Sequence, residues 1–386
     1  MAWATGIRVA SFNIGAHFIT TSGGASVPDF SLGDPGTVDH DKARDILNRI
    51  DADVVTLQEI HSADIAGNPD DLDALAASLG YTYSYLAPST NSFDTSLRVT
   101  FLSRFPILTS TAINSPAGAK EINRLFPAVK VDVPGTAKDP LLIATHLKSG
   151  TTAADRFRRA VEMRRLAEHL ITQNLGIDDN YIIMGDFNLS SVNRTFTVLP
   201  TGLPSTYVLG SDVLLPVTYS TNPLDYFNTG SLILLDPRQL DNSTSTFQSG
   251  SVLDLLLVSP AIAARPFGAE IYNSALDTSN TAGLSKAGMP LPVDTSALAS
   301  DHYALFADFQ LEDTPPFAVK ISQPTPGFIR LTFPAQTGKT YTVQTSSDLS
   351  SWYDLSTHAG TGAEIITDLT ISSSESQCFY RVRSMN

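Results

Sequence analysis

Apolar residues fall into short runs that each end in a polar side chain, and those runs predict most of the regular structure. Ile7, Val9 and Ser11 alternate with Arg8, Ala10 and Phe12, a strand pattern that stops at Asn13. A Gly/Ser/Asp/Pro-rich loop follows to about Val38, where Asp39 or Asp41 caps a helix carrying Ala43, Ile46, Leu47 and Ile50 at helical spacing. The run Asp53-Val-Val-Thr-Leu-Gln-Glu59 reads as a buried strand with a carboxylate at its end, and a short helix through Leu72, Leu75 and Leu79 stops at Gly80. Further strands are predicted at 81–86, 99–103 and 128–133, and the apolar run 141–145 delivers His146. Between 153 and 173 a helix buries Phe157, Val161, Ala167 and Leu170 and turns Arg156, Arg158, Arg159, Arg164 and Arg165 toward solvent.

The strand Tyr181–Met184 then runs into Gly185-Asp186-Phe187-Asn188. Side chains two apart on an extended chain point the same way, so Asp186 and Asn188 face one reacting atom while Phe187 packs behind them. Taken alone, these residues equally describe a strand entering an Asx turn. About sixty weakly patterned residues precede the strand 251–258, in which Asp254 sits among leucines, and a long loop leads to Ser300-Asp301-His302 and a closing strand at 303–309. After Pro315-Pro316, six short alternating stretches (317–321, 329–333, 341–345, 352–355, 365–369 and 379–383) predict a small all-β sandwich. The domain expectation is therefore a larger α/β unit, 1–313, joined by a stiff Pro-Pro linker to a β-sandwich, 317–386.

Composition narrows the classes. The chain has 386 residues, 42% hydrophobic, enough for a sizeable core, and no apolar run long enough for a membrane-crossing helix. A single cysteine, Cys378, excludes an intramolecular disulfide framework and a thiolate metal cluster. The net charge of −14 argues against tight sequence-independent nucleic-acid binding, although cations held in an acidic cluster recruit phosphate locally. The N-terminal residues carry neither a basic nor an apolar leader segment, so a cytoplasmic chain or a mature exported form is expected, and a monomer.

Asn13, Glu59, His146, Asp186 with Asn188, Asp254, and Asp301 with His302 all stand at or in apolar strands. Leaving so many polar groups buried without a task would cost about 1–3 kcal/mol each, which implies that the strand ends converge. Hard oxygen donors with two histidines and no thiol suit Mg²⁺ or Mn²⁺, and admit Ca²⁺, better than sulfur-bound zinc.

In order and motif these pieces resemble the endonuclease/exonuclease/phosphatase superfamily, the DNase I-like metal-dependent phosphodiesterases. The matching segments are Ser-Phe-Asn13, Leu-Gln-Glu59, Leu-Ser-Arg104-Phe-Pro-Ile, Thr-His146-Leu, Gly-Asp186-Phe-Asn188, Asp254 in Val-Leu-Asp-Leu-Leu-Leu-Val, and Ser-Asp301-His302. The resemblance implies a four-layered α/β sandwich with the site at one edge. It further implies that Glu59 is the principal metal ligand, with Asn13 and Asp301 adjoining it. Asp186 would deprotonate the attacking water and Asn188 would hold it, while His302, oriented by Asp254, would bear on the phosphate and His146 on the leaving side. Where the nuclease branch has a glutamate supporting the first histidine, this chain has Arg98, with Asp94 the closest acid; Arg98 thereby becomes a candidate phosphate clamp, as does Arg124, which matches a family arginine. The long loops 190–250 and 272–300 are expected to rim the site.

A phosphoester substrate follows from the resemblance. A lipid or small-molecule diester is preferred on charge, a DNase I-like secreted nuclease is the alternative, and a catalytically silent binding module of the same fold is the third reading. The C-terminal stretch resembles fibronectin type III-like modules of secreted bacterial enzymes, which implies an extracellular or periplasmic protein.

Overall fold

The computed structural model describes residues 6–15, 17–20, 26–29, 38–61, 71–90, 97–119, 121–134, 136, 138–189, 232–312, 319–335, 337–370 and 378–385. The chain forms two compact units, Met1–Glu312 and Asp313–Asn386. The first unit runs β1 (Gly6–Asn13), β2 (His17–Thr20), β3 (Ser26–Asp29), α1 (Val38–Ile50), β4 (Val54–His61), α2 (Asp71–Ser78), β5 (Tyr83–Leu86), β6 (Leu97–Ser103), β7 (Ile107–Ile113) and β8 (Phe126–Val131). It continues with β9 (Leu141–His146), α3 (Ala153–Thr172), β10 (Tyr181–Asp186), β11 (Ile233–Leu234), β12 (Asp254–Val258), α4 (Pro260–Ala263), β13 (Phe267–Ile271), α5 (Thr295–Ala299) and β14 (Leu305–Gln310).

Two six-stranded mixed sheets form, ordered β13-β14-β1-β4-β6-β5 and β11-β12-β10-β9-β8-β7. Strand alternation divides their apolar residues between two faces. Val9, Val54, Phe101, Leu142, Ile182, Leu256 and Phe309 meet between the sheets as one core. Phe12, Val55, Leu57 and Phe306 face α1 and α2, which bury Ile46, Leu47, Leu72 and Leu75 against them. On the far side, Ile143, Ile183, Phe187 and Leu257 receive Met163, Leu166 and Leu170 of α3. The layers are therefore helix, sheet, sheet, helix.

α3 starts sharply because Thr152 and Asp155 form a reciprocal capping box. Its arginines are not all outward, contrary to the pattern: Arg159 and Arg165 are buried, Arg159 on the carbonyls of Lys148 and Gly150 and Arg165 on Ser115 and Glu168. Strand β7 escapes the hydrophobic pattern because its Leu108–Thr111 stretch is solvent-exposed at a sheet edge.

The second unit holds β15 (Lys320–Ser322), β16 (Phe328–Pro334), β17 (Thr340–Ser346), β18 (Tyr353–Ala359), β19 (Glu364–Thr370) and β20 (Phe379–Met385). Two antiparallel three-stranded sheets, β15-β16-β19 and β18-β17-β20, share a core of Leu331, Phe333, Tyr341, Val343 and Leu369. Trp352 is outside that core: Arg381 stacks 4.1 Å from its ring centroid. The Pro315-Pro316 linker lies outside the described residues.

Candidate active site

At one end of the sandwich the inner faces of the two sheets change from apolar to polar. On β10, Ile182 and Met184 lie in the inter-sheet core and the same alternation makes Asp186 the next inward residue; on β9, Leu142 and Ala144 precede His146 in the same way. Residue Asp186 is in register with His146 of β9 on one side and with Asp254 of β12 on the other, so the three stand on one rung. From the facing sheet, β1 supplies Asn13 beyond Ile7, Val9 and Ser11.

Alternation alone would not deliver Glu59. Val54 faces the inner core while Val55 and Leu57 face α1, so Glu59 would follow them outward. A bulge between Leu57 and Ile60 breaks the pairing with β6, Glu59 takes a φ of +62°, and Ile60 returns to the outer core. Re-aiming a side chain is what such bulges do beside functional sites. Gly15 leaves the room required: a Cβ there would lie 2.5 Å from Glu59 Oε2 and 2.6 Å from Glu59 Cβ.

The Asp186 carboxylate is the hub. Its Oδ1 accepts the backbone N–H of Asn188 at 2.7 Å, and its Oδ2 accepts the amide groups of Asn188 at 2.9 Å and Asn13 at 3.3 Å. Asn188 is therefore held to Asp186 by an Asx turn with φ +49°, not by an extended chain, and both readings of the Gly-Asp-Phe-Asn sequence meet in one structure. Phe187 is fully buried behind them. Asn13 also donates to Glu59 Oε1 at 3.0 Å. His146 Nε2 lies 3.6 Å from Glu59 Oε1 and 3.5 Å from Asp186 Oδ2, and His302 Nδ1 meets Asp254 Oδ2 at 2.8 Å.

Burial and the neighbouring charges set the protonation states. Burial drives the Asp186 carboxyl upward against the pull of His302, and Asp254 and Glu59 reinforce the rise, which makes Asp186 a stronger base than an exposed aspartate. Although burial opposes it, Asp254 at hydrogen-bonding distance, with Asp186 beyond, raises His302 and keeps it an imidazolium. Burial, followed by Arg124, His302 and Lys148, holds His146 well below its ordinary value and therefore neutral. Asp301 is raised to about 6 by burial, with His302 opposing.

Glu59, His146 and Asp186 each offer a donor atom within 4.8 Å of the others. Glu59 Oε2 is buried without a hydrogen-bond partner among the described residues, as are His146 Nδ1 and Asp301 Oδ1. A divalent cation fits this donor set, because unneutralised buried carboxylate oxygens are satisfied by a hard ion.

The residues given site roles from sequence are described, and Asn13, Glu59, His146, Asp186, Asn188, Asp254 and His302 converge; Asp301 follows at 3.9 Å from His302 Nε2. Arg98 pairs across from Ile60, next to Glu59, and donates Nε to the Ala87 carbonyl. Arg124 is buried and donates to the Leu147 carbonyl, which also accepts Asn188 Nδ2. Asp94 and the 190–231 part of the expected rim lie outside the described residues.

The loop 272–300 does not act as a rim over most of its length. Buried Arg49 of α1 ties it down through Asp277, Asn280 and the carbonyls of Ala287 and Gly288, and Arg8, at the far end of β1 from Asn13, binds Ser285. Only its end returns, where the Ser300 hydroxyl donates to the Asn13 carbonyl and accepts the His302 N–H. The sequence reading placed Ser300 in the Ser300-Asp301-His302 motif but gave it no role. The end of the other expected rim, 190–250, does reach the site: the Thr246 hydroxyl accepts the N–H groups of Leu253 and Asp254, and the Phe247 ring lies 4.9 Å from His302, although a Ser/Thr tract gave neither residue a role in advance.

The four-layered unit is a DNase I-like α/β sandwich. The human Nocturnin catalytic domain with bound sulfate anion aligns with it at 17% identity over 79% of this chain and 94% of that one, with a TM-score of 0.51. Sphingomyelinase C from Streptomyces griseocarneus (20% identity, 79% and 99% coverage, TM-score 0.47) and an endonuclease/exonuclease/phosphatase family protein from Bacteroides thetaiotaomicron (16%, 79% and 97%, 0.47) are further similar structures. At these identities the likeness is one of fold. No curated protein matches the sequence. Members of the Endonuclease/Exonuclease/phosphatase family typically depend on a divalent metal, and that family's sequence model matches residues 10–302, so the chain belongs to this family of phosphoesterases.

Proposed function

We propose that the protein is a divalent-metal-dependent phosphodiesterase acting on a lipid or small-molecule diester. The observation that carries the reading is the convergence of Glu59, Asn13 and Asp186 from two sheets into one buried, acceptor-rich cluster. A Mg²⁺ or Mn²⁺ ion held there, by Glu59 with Asn13 and Asp301 adjoining, supplies charge neutralisation for a phosphoryl group. Asp186, raised by burial, takes the proton of the attacking water while Asn188 positions it. His302, kept cationic by Asp254, places positive charge against the phosphoryl oxygens. Neutral His146 stands beside the leaving oxygen as a hydrogen-bond donor, and Arg98 and Arg124 offer charge to the diester anion.

Two features of the sequence favour a non-nucleic substrate: the net charge of −14, and Arg98 where the nuclease branch has the glutamate that supports the first histidine. The C-terminal unit is proposed as a fibronectin type III-like accessory module of an exported enzyme. Bis-p-nitrophenyl phosphate, p-nitrophenyl phosphate, plasmid DNA and sphingomyelin, each with Mg²⁺, Mn²⁺ or EDTA, separate the readings. Hydrolysis of bis-p-nitrophenyl phosphate or sphingomyelin that EDTA abolishes is expected; efficient plasmid cleavage selects the nuclease, and inactivity throughout selects a silent binding module.

A further inference from the structure

α3 carries two buried charges one helical turn apart, Arg159 and Glu162, whose hydrogen bonds go to loops beside the Asp186 cluster; Arg159 also feels the charge of Asp186. Glu162 spends its two carboxylate oxygens on two different loops: Oε1 accepts the N–H of Asn123 at 3.2 Å and Oε2 accepts the N–H of Lys148 at 2.9 Å. Asn123 immediately precedes Arg124, and Lys148 follows His146 by two residues. Arg159 takes the other side of the second loop, donating Nη1 to the carbonyls of Lys148 at 2.6 Å and Gly150 at 2.8 Å. Lys148 is thus gripped at both its N–H and its C=O.

The gripped loops meet each other in front of α3. Arg124 donates Nη1 to the Leu147 carbonyl at 3.3 Å, the oxygen that also receives Asn188 Nδ2 at 3.0 Å, and Leu147 N–H donates to the Asp186 carbonyl at 2.9 Å. A connected path of hydrogen bonds and peptide bonds therefore runs from Glu162, through residues 123–124 and 147–148, to Asn188 and Asp186. Only a carboxylate has two acceptor oxygens that take N–H groups arriving from two directions; an amide of the same shape would turn an NH₂ against one of them. We infer that Glu162 is a positioning residue that sets the spacing of Arg124 from Asn188 and Asp186, and thereby the phosphate-facing edge of the site. The inference rests on the reading of Arg124 as a phosphate contact.

The full-length Glu162→Gln variant tests it, assayed with bis-p-nitrophenyl phosphate and Mn²⁺. KM is expected to rise about tenfold while half-saturating Mn²⁺ stays within twofold of wild type. Arg124→Ala should raise KM similarly, and Glu162→Gln in the Arg124→Ala background should add nothing. Leu170→Ala, which loosens the same helix without touching either loop, should leave KM unchanged. Additive effects of Glu162→Gln and Arg124→Ala, an unchanged KM in Glu162→Gln, or an equal rise in Leu170→Ala would each overturn the inference. If Glu162→Gln does not fold, Arg159→Met carries the same expectations, since it removes the one nitrogen that holds both carbonyls of the second loop.

A second readout is independent of turnover: the rise in melting temperature on adding inorganic phosphate with Mn²⁺. Should wild type hydrolyse no ester yet be stabilised by phosphate, the diesterase reading fails; the positioning role then stands if Glu162→Gln loses that stabilisation and falls if it keeps it. Phosphate that stabilises no form, with no turnover, overturns both.

Discussion

Gly15→Ala is the sharpest probe of how the site is built, because it acts on Glu59 without altering a polar group. The added methyl would sit 2.5 Å from Glu59 Oε2 and 2.6 Å from Glu59 Cβ, so each contact must open by about 1 Å to reach ordinary van der Waals separation. Oε2 swings away easily, being without a hydrogen-bond partner among the described residues. The Cβ does not, since Glu59 is fixed in a bulge at φ +62° and flanked by buried Ile60. Overpacking of this size costs about 1–3 kcal/mol. If that cost falls mainly on the carboxylate position, a tenfold loss per 1.4 kcal/mol gives roughly 5–150-fold weaker metal binding. Titration of Mn²⁺ followed by calorimetry, with the melting temperature recorded with and without Mn²⁺, measures both parts, and Glu59→Gln sets the ceiling. Mn²⁺ affinity within twofold of wild type in Gly15→Ala, together with a large loss in Glu59→Gln, would refute the claim that Gly15 governs the carboxylate.

Asp186→Asn keeps shape and removes the base, so kcat should fall about 10²–10⁴-fold with KM little changed, whereas Arg98→Ala should mainly raise KM; rescue of Asp186→Asn by excess Mn²⁺ would make Asp186 a ligand instead. Glu162 is raised by burial from 4.5 to about 7, so the folded state holds its proton more tightly than the unfolded state and stability declines as pH rises between those values. Urea unfolding at pH 4.5 and pH 7.5 should show wild type losing about 3 kcal/mol more than Glu162→Gln over that interval, and identical pH dependence would remove the cause. A chain ended at Glu312 should keep its turnover of a small soluble diester, because the first compact unit closes there; loss of kcat would tie the C-terminal unit to the chemistry.

Much of this was legible in the chain because the core strands are strongly patterned. The runs ending in His146 and Asp186 are nearly all apolar on both faces, as strands covered on two sides must be, and the ionisable residue that ends each marks where the core stops. Other features leave no periodic trace. The bulge that turns Glu59 inward depends on how β4 pairs with β6, and Leu-Gln-Glu reads as an uninterrupted strand. Arg159 and Glu162 look like ordinary surface charges on an amphipathic helix because the backbone groups they satisfy belong to loops elsewhere in the chain. The fate of 272–300 hangs on Arg49, whose Asp277 partner lies 228 residues away.

The single rung formed by His146, Asp186 and Asp254 bears on how the enzyme becomes active. These residues come from three strands, two pairings of opposite direction and sequence separations of 40 and 68 residues (186 − 146 and 254 − 186). Slipping either pairing by one residue would turn a whole strand's side chains over and separate the carboxylates from the imidazole. A cation held beside this rung at Glu59 would favour the correct register during refolding, since that register sets His146 and Asp186 next to Glu59. A chain refolding with Mn²⁺ present should recover active protein in higher yield than one given the ion afterwards, the metal serving as proofreader of the sheet before it serves as cofactor.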